Sequence, residues 1–456
     1  MSGGEGREEA GRFLHRTTSN VAATLRREML DIKVLRENPD AARAGAVKKH
    51  MPDRAAAVDR ALALDAELRA MTPRIDALRS EQKAGGKKLG KLGPEEREAF
   101  LQTQKELKAK LSVLDDEEKQ LKHNLAEQLS LIPNIPDPEV PDGKDDSQNT
   151  EVRKVGKVRE FDFEVRPHYD IGEAQGWLDF TRAADMAGSR NYILFGDLVL
   201  LHDAVLRFAV DLLVERGFVP IDPPLLVRDA AMFGTGFFPG GEEQTYRCEK
   251  DGLNLIGTSE VPVTSLHAGE ILSEKDLPKK YVARSACFRR EAGTYGKDTR
   301  GLYRVHQFHK VEQVILDIAD KDRSLEHHES IVQNAEALLQ ACELPYRVVN
   351  VCGGDLGVPQ AMKYDIETWM PSRESYSETH SASRFYDYQS RRLNIRYRPE
   401  GGKPLFCHTL NNTVAASPRI LIPLLENHQN PDGTINVPER LRQYLGGREV
   451  LGKPVF

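Results

Sequence analysis

No stretch of about 18 or more apolar residues occurs in the 456-residue chain, so the sequence offers no transmembrane helix and no membrane partner. Cysteine is scarce. Cys248, Cys287, Cys342, Cys352 and Cys407 are the five, and no two lie close together. That spacing gives neither a CxxC-type zinc signal nor a disulfide framework; no structural zinc is expected, and a reducing cytoplasm fits. There is no GxxxxGK[ST] phosphate loop and no internal repeat. Neither charge sign dominates. A net charge of −6 by itself neither points to nucleic acid nor excludes it, because local patches decide that. What remains is ordinary for soluble globular domains, 39% hydrophobic and 29% charged, in a chain long enough for two or three of them.

Residues 1–28 lack the apolar h-region of a secretory signal, and Glu5, Glu8, Glu9 and Glu28 make them too acidic for a transit peptide. They are expected to be a disordered extension, or to lie upstream of a true start at Met29. From about Val58 to Ile132 the pattern becomes heptad-like. Leu64, Leu68, Met71, Ile75 and Leu78 step by four and three along one arm. Leu107, Leu111, Leu114, Leu121 and Leu125 mark a second, with Glu118 at one seam position. Between them "AGGKKLGKLGPEE" breaks helix at its glycines and supplies Pro94 for a helix start. The pattern predicts an antiparallel helical hairpin, kinked at Pro73. Such a hairpin also serves as a dimerisation or spacer element. Its tip carries Lys83, Lys87, Lys88 and Lys91 with no acid between them, which reads either as a solvated face or as a phosphate grip. The proline-rich "IPNIPDPEVPDGKDD" then marks a stiff linker over residues 133–150. From 151 to 456, amphipathic helices alternate with β-rich runs joined by long loops. This predicts an α+β fold with an antiparallel sheet flanked by helices.

Four stretches of this second part carry candidate chemistry. In "ACFRREAGTYGKDTRGLYRVHQFHKVE", Arg289 and Glu291 are expected on one face of a strand, as a structural ion pair or as readers of a ligand's phosphate and amine. Phe308 and Glu312 share a face of the next strand, and an aromatic platform beside an arginine suits a nucleotide. In "LIGTSEVPVT", Thr258 and Glu260 either cap a helix or hold a small ammonium-bearing ligand. In "SYSETHSASRF", Glu378 and Ser381 offer oxygen ligands for a hard divalent ion, whereas His380 reads as a hydrogen-bonding neighbour rather than a zinc ligand. In "LNNTVAASPRILIPLLEN", Ser417 and Pro418 are expected to open a helix as N-cap and N1. Arg419 then falls in its first turn, with Pro423 an unexplained bend further in.

Taken together and in this order, from Met29 onward, these stretches resemble the seryl-tRNA synthetases among class II aminoacyl-tRNA synthetases. "GFVPIDPPLLV" is similar to class II motif 1, "FRREAGTYGKDTRGLYRVHQFHKVE" to motif 2 and "LNNTVAASPRILIPLLEN" to motif 3. The lysine-tipped hairpin, within residues 29–132, is similar to that family's tRNA-binding arm, and residues 151–456 to its catalytic domain. The resemblance implies ligation of L-serine to tRNA-Ser through a seryl-adenylate formed from ATP, extended to tRNA-Sec, by a homodimer built on motif 1. Catalysis would rest on Arg289 and Arg419. ATP would be held by Arg289, Glu291, Phe308, Glu378, Ser381 and Arg419. Serine would meet Thr258, Glu260, Arg289, Glu312 and Thr413. Mg2+ would sit on Glu378 and Ser381, and tRNA would lie along an arm carrying Lys83, Lys87, Lys88 and Lys91. No side chain is expected as an obligatory general base. Two departures stand beside ligand contacts: His380 where bacterial members carry the first of two serines, and Asn412 where many have glycine. Two other readings use the same residues, a paralogue that loads a carrier protein and a non-catalytic RNA-binding protein. The complete arm opposes the first, and Arg289, Glu312, Glu378 and Arg419 oppose the second.

Overall fold

The computed structural model of the chain describes residues 32–88, 93–293 and 300–456. The extension over 1–28, Lys91, Lys297 and the side chains of Lys87 and Lys88 lie outside the described residues. Two compact units form. One runs up to Val47 and resumes over Met51–Pro133, and the other combines Lys48–His50 with Asn134–Phe456. Among the described residues no helix is long and apolar enough to cross a membrane.

In the first unit, helices α1 (Pro52–Lys88) and α2 (Pro94–Leu131) make the hairpin. Arg60 donates to Gln128 at 2.8 Å and Arg79 pairs with Asp115 at 2.8 Å. Residue numbers rise in one arm as they fall in the other, so the arms are antiparallel. The seam is the expected stripe: Ile75, Leu107 and Leu111 are buried, and Met71, Leu78 and Leu114 pack against them. Helix α1 continues unbroken through Pro73. That residue lies on the exposed side, where carbonyls can tilt toward water and the lost hydrogen bond is replaced by solvent.

In the second unit an eight-stranded sheet comprises β1 (Thr150–Val155), β2 (Val219–Ile221), β3 (Lys279–Phe288), β4 (Gln307–Asp317), β5 (Tyr346–Asn350), β6 (Met362–Met370), β7 (Ser375–Tyr386) and β8 (His408–Ser417). Their order is β1-β5-β6-β7-β8-β4-β3-β2, antiparallel throughout except for the parallel β2–β3 pair. The helices that matter below are α3 (His168–Ala174), α4 (Asp197–Glu215), α5 (Glu260–Ser265), α6 (Lys321–Ala341), α7 (Tyr388–Leu393) and α8 (Leu421–His428). Helices α4 and α6 contribute Leu201, Val205, Phe208, Ile331, Ala335 and Leu338 to a core with Val282, Val311, Ile315, Leu410 and Val414 of the sheet. Each large side chain fully buried there stabilises by about 1.5–3 kcal/mol. The other sheet face is left for polar groups. The proline-rich segment after Ile132 is tied to this unit: the Asn134 amide donates to Val358 O at 2.9 Å, and Asp137 accepts from the buried Arg384 at 2.5 Å.

Two local expectations change. Strand β3 ends at Phe288, so Arg289 and Glu291 lie beyond it, and Glu291 adopts a left-handed φ of 51°. They do not share a strand face, because strand geometry stops before either is reached. Ser417 is likewise the last residue of β8 rather than a helix cap, and the Ser417–Pro418 peptide is cis. The Ser417 hydroxyl bonds His202 Nδ1 at 2.7 Å, so it is unavailable as a cap. Helix α8 opens only at Leu421. That start explains Pro423: it sits in the first turn, where a backbone N–H has no intrahelical acceptor and its loss costs little.

Candidate active site

A cavity of about 250 Å³ opens on the polar face of the sheet. Its lining includes Thr258, Glu260, Arg289, Glu291, Phe308, Glu312, Glu378, Ser381, Thr413 and Arg419, every residue of the catalytic unit singled out from the sequence as a ligand contact. Five separate segments of the chain deliver them. Strand β4 presents Phe308, Lys310 and Glu312 at every second position, all on one face.

Two β-bulges set which side chains of β7 and β8 join them. Between β6 and β7, Ile366 faces His380 and Glu367 faces Glu378, leaving Thr379 as an extra residue. Glu378 and Ser381, three apart, therefore point to one side, together with Asp365. Between β4 and β8, Val311 faces Ala415 and Glu312 faces Thr413, leaving Val414 extra. Asn411, Thr413 and Ala416 thereby share the cavity side. His380 closes the junction between the bulges: its Nε2 donates to Val414 O at 3.0 Å, and its Nδ1 meets the Thr379 hydroxyl at 2.8 Å. Burial depresses the His380 imidazole to about 4, so the ring is neutral and both its nitrogens are engaged within the protein. This is the hydrogen-bonding role expected of it. Asn412, the other departure, points away from the cavity side and donates to Ile331 O at 2.6 Å.

One end of the cavity is arginine-rich. The Arg289 guanidinium lies 5.2 Å from the Phe308 ring centroid, and its Nε donates to Gly257 O at 3.3 Å. Arg419 donates to Tyr303 O at 3.3 Å and Glu378 O at 3.2 Å, and stacks over the Tyr303 ring at 4.3 Å. Its Nη1 is also 3.7 Å from the Glu378 carboxylate. Glu291 lies 3.6 Å from Arg304. Arg300 pairs with Asp170 at 3.0 Å.

The other end concentrates buried carboxylates. Glu312 is 2% exposed and ion-paired to Lys310 at 2.5 Å, with the Thr413 hydroxyl 3.3 Å from the same oxygen. Lys310 is not among the residues singled out from the sequence, although its place two residues from both Phe308 and Glu312 is an available signal. Glu260, at the start of α5, accepts from Gln389 at 2.7 Å, and Gln389 in turn accepts from Thr409 at 2.7 Å. Burial, reinforced by Glu312, raises the Glu260 carboxyl to about 7. The alternative capping role belongs to Thr258, whose hydroxyl accepts from the Glu260 amide at 3.2 Å, while Ser259 makes no cap bond. Nothing in the sequence pointed to Gln389.

The oxygen donors fit a hard divalent ion. Glu378, Ser381 and Asp365 offer hard oxygen, and Asp365 Oδ1 is buried without a hydrogen-bond partner. Among the described residues no group of three or more His, Cys, Asp or Glu is arranged to hold a metal by itself. That donor set suits an ion that takes most of its ligands from water and phosphate, as Mg2+ does.

The N-terminal part, residues 29–136, matches the family model of the seryl-tRNA synthetase N-terminal domain, and residues 246–428 match the class II tRNA synthetase core domain shared by the G, H, P, S and T enzymes. A serine–tRNA ligase of Deinococcus radiodurans is 50% identical over 427 residues, covering 94% of this chain and 100% of its own. The crystal structure of a seryl-tRNA synthetase from Pyrococcus horikoshii complexed with ATP superposes with a TM-score of 0.87 at 41% identity, covering 93% of this chain and 99% of that one. A cytoplasmic counterpart from Naegleria fowleri in complex with AMP gives 0.83 at 32% identity, with coverage of 93% and 99%. With both the arm and the antiparallel core accounted for over nearly its whole length, the chain belongs to the seryl-tRNA synthetase family, class II aminoacyl-tRNA synthetases that act as serine–tRNA ligases.

Proposed function

We propose that the cavity binds ATP and L-serine side by side and forms seryl-adenylate, which then serylates tRNA-Ser. The observation that carries this is the convergence of an arginine–aromatic end and a carboxylate–hydroxyl end around one 250 Å³ cavity. Phe308 stacks under adenine, with Glu291 at the adenosine end. Arg289 holds the α-phosphate and the serine carboxylate. Arg419 takes the γ-phosphate. Attack by the carboxylate on the α-phosphorus builds negative charge there, so these guanidinia, fixed by Gly257 O, Tyr303 O and Glu378 O, stabilise the transition state without reorganising. Bound through Glu378 and Ser381, Mg2+ would supply further neutralisation of the phosphates.

Thr258 and Glu260 receive the serine ammonium, and Glu312 and Thr413 its hydroxyl. A buried, charge-paired acceptor such as Glu312 rejects alanine, because binding it leaves that acceptor without a donor. The lysine-tipped hairpin, with Lys83, Lys87, Lys88 and Lys91, grips tRNA phosphates, and on family resemblance the reading extends to tRNA-Sec and to the cytoplasm. A homodimer is supported by exposed apolar residues in and just before motif 1: Val214 near the end of α4, Val219 on β2 and Leu226. The decisive experiment is ATP–pyrophosphate exchange with serine, threonine or alanine. Exchange with serine alone, lost in Arg289→Ala, is expected; exchange no greater with serine than with threonine or alanine refutes the reading.

A further inference from the structure

Glu426 lies on α8, seven residues beyond Arg419, and is 0% exposed. Its carboxylate gathers four donors from two other segments. His168 gives its backbone N–H at 3.1 Å and Nδ1 at 2.8 Å to Oε1. Ser372 gives its hydroxyl to Oε1 at 2.9 Å and its backbone N–H to Oε2 at 3.0 Å. Burial opposes the charge, but the bonds from His168 and Ser372 hold the carboxyl below its usual range. An ionised carboxylate only accepts, so His168 Nδ1 carries the proton.

The far side of the ring then decides the tautomer. His168 Nε2 lies 3.1 Å from the Leu302 backbone N, a donor. Nε2 must accept, so the ring is neutral, with one nitrogen donating and the other accepting. The fit is close. Gly301 has a φ of 87°, and a Cβ there would come within 2.4 Å of Nε2. What the ring fixes is the return limb of motif 2. Leu302 precedes Tyr303, whose carbonyl accepts from Arg419 and whose ring is flanked by Arg419 and Arg373, both at 4.3 Å. Arg373 follows Ser372. Both supports of Tyr303 therefore run back to one buried carboxylate.

We infer that His168 and Glu426 are positioning residues for the nucleotide end of the cavity, holding Leu302–Tyr303 and Arg373 so that Arg419 is aimed before ATP arrives. This rests on the proposed assignment of that end to ATP. The test is serine-dependent pyrophosphate exchange by the full chain carrying His168→Asn, His168→Gln or Ser372→Ala. Asparagine retains a donor for Glu426 but does not reach Leu302; glutamine reaches with an acceptor oxygen. His168→Asn should raise the KM for ATP about fivefold or more, with the KM for serine changing less than about twofold. His168→Gln should restore most of the loss. Ser372→Ala, a mild change at an exposed turn, should give the same split at smaller amplitude. Equal effects in the Asn and Gln variants, or KM values for ATP and serine rising together, overturn the inference. Phe308→Ala run alongside separates the two claims. If it leaves the KM for ATP unchanged, the nucleotide assignment itself fails; if it raises that KM while His168→Asn does not, only the positioning role fails.

Discussion

Acidification from about pH 7.5 to about pH 5.5 should weaken serine binding by protonating Glu260. In the unliganded protein this carboxyl is held at about 7 by burial and by Glu312, against the pull of Gln389 and Lys310. An ammonium ion docked on it favours the ionised form. Serine therefore binds the fraction of molecules in which Glu260 is charged. For a group titrating near 7, that fraction falls about 25-fold across the interval, equivalent to about 2 kcal/mol of binding free energy. Isothermal titration calorimetry should show this loss, together with release of a proton on binding near neutrality. Stability moves the other way. The folded value lies above the usual 4.5, so the folded state holds the extra proton between about 4.5 and about 7. The resulting stabilisation is complete below that window and disappears as pH rises through 7. Loss of serine affinity on acidification is thus not a by-product of Glu260-driven unfolding. Glu260→Gln should bind serine less well at neutral pH and with a flat pH profile. A flat profile in the wild type, or an unchanged slope in Glu260→Gln, refutes the argument.

Lys310→Met should destabilise the protein by about 3 kcal/mol in denaturant unfolding, because Glu312 loses its ion-pair partner while buried near Glu260 and keeps the Thr413 hydroxyl as a hydrogen-bond donor. Adding Glu312→Gln should recover much of that loss, and strictly additive single losses would count against a coupled pair. His380→Ala should cost about 1–3 kcal/mol by stranding the Val414 carbonyl, while a zinc-selective chelator leaves pyrophosphate exchange untouched and withdrawal of Mg2+ abolishes it. Sensitivity to the zinc chelator would contradict the neutral, fully engaged ring. Deleting residues 70–110 should preserve exchange and abolish retention of tRNA-Ser on filters if, as proposed, the arm rather than the cavity grips the tRNA phosphates; unchanged affinity would sink that assignment.

Local rules carried the reading as far as local rules reach. The hairpin was legible because its seam repeats in steps of three and four, and Ile75, Leu107 and Leu111 are buried as that spacing requires. Phe308 and Glu312 were legible because strand alternation is a property of β4 alone. Three features were not, and each depends on a partner distant in sequence. The end of β3 at Phe288 depends on its pairing with β4. The late start of α8 depends on Ser417 remaining in the sheet and bonding His202. The charge state of Glu260 depends on its burial and on Glu312 of β4, opposed by Gln389 brought from α7. The spacing of Glu378 and Ser381 was readable as numbers, but its meaning required the bulge.

The paired bulges at Thr379 and Val414 also make this site sensitive to length in a way its composition conceals. Immediately beside these two bulges the strands obey ordinary alternation, and a further register shift at Phe385 lies nearer the end of β7. Removing Thr379 alone would restore that alternation, swing Ser381 to the helix-covered face and leave Glu378 without its oxygen partner, though every named ligand would still be encoded. Shortening β8 at Val414 would part Thr413 from Ala416 in the same manner. In these two strands, a one-residue deletion in the middle of a well-formed sheet is a heavier lesion than most substitutions at the cavity wall. Homologous segments exchanged into this chain must match it in count as well as in chemistry.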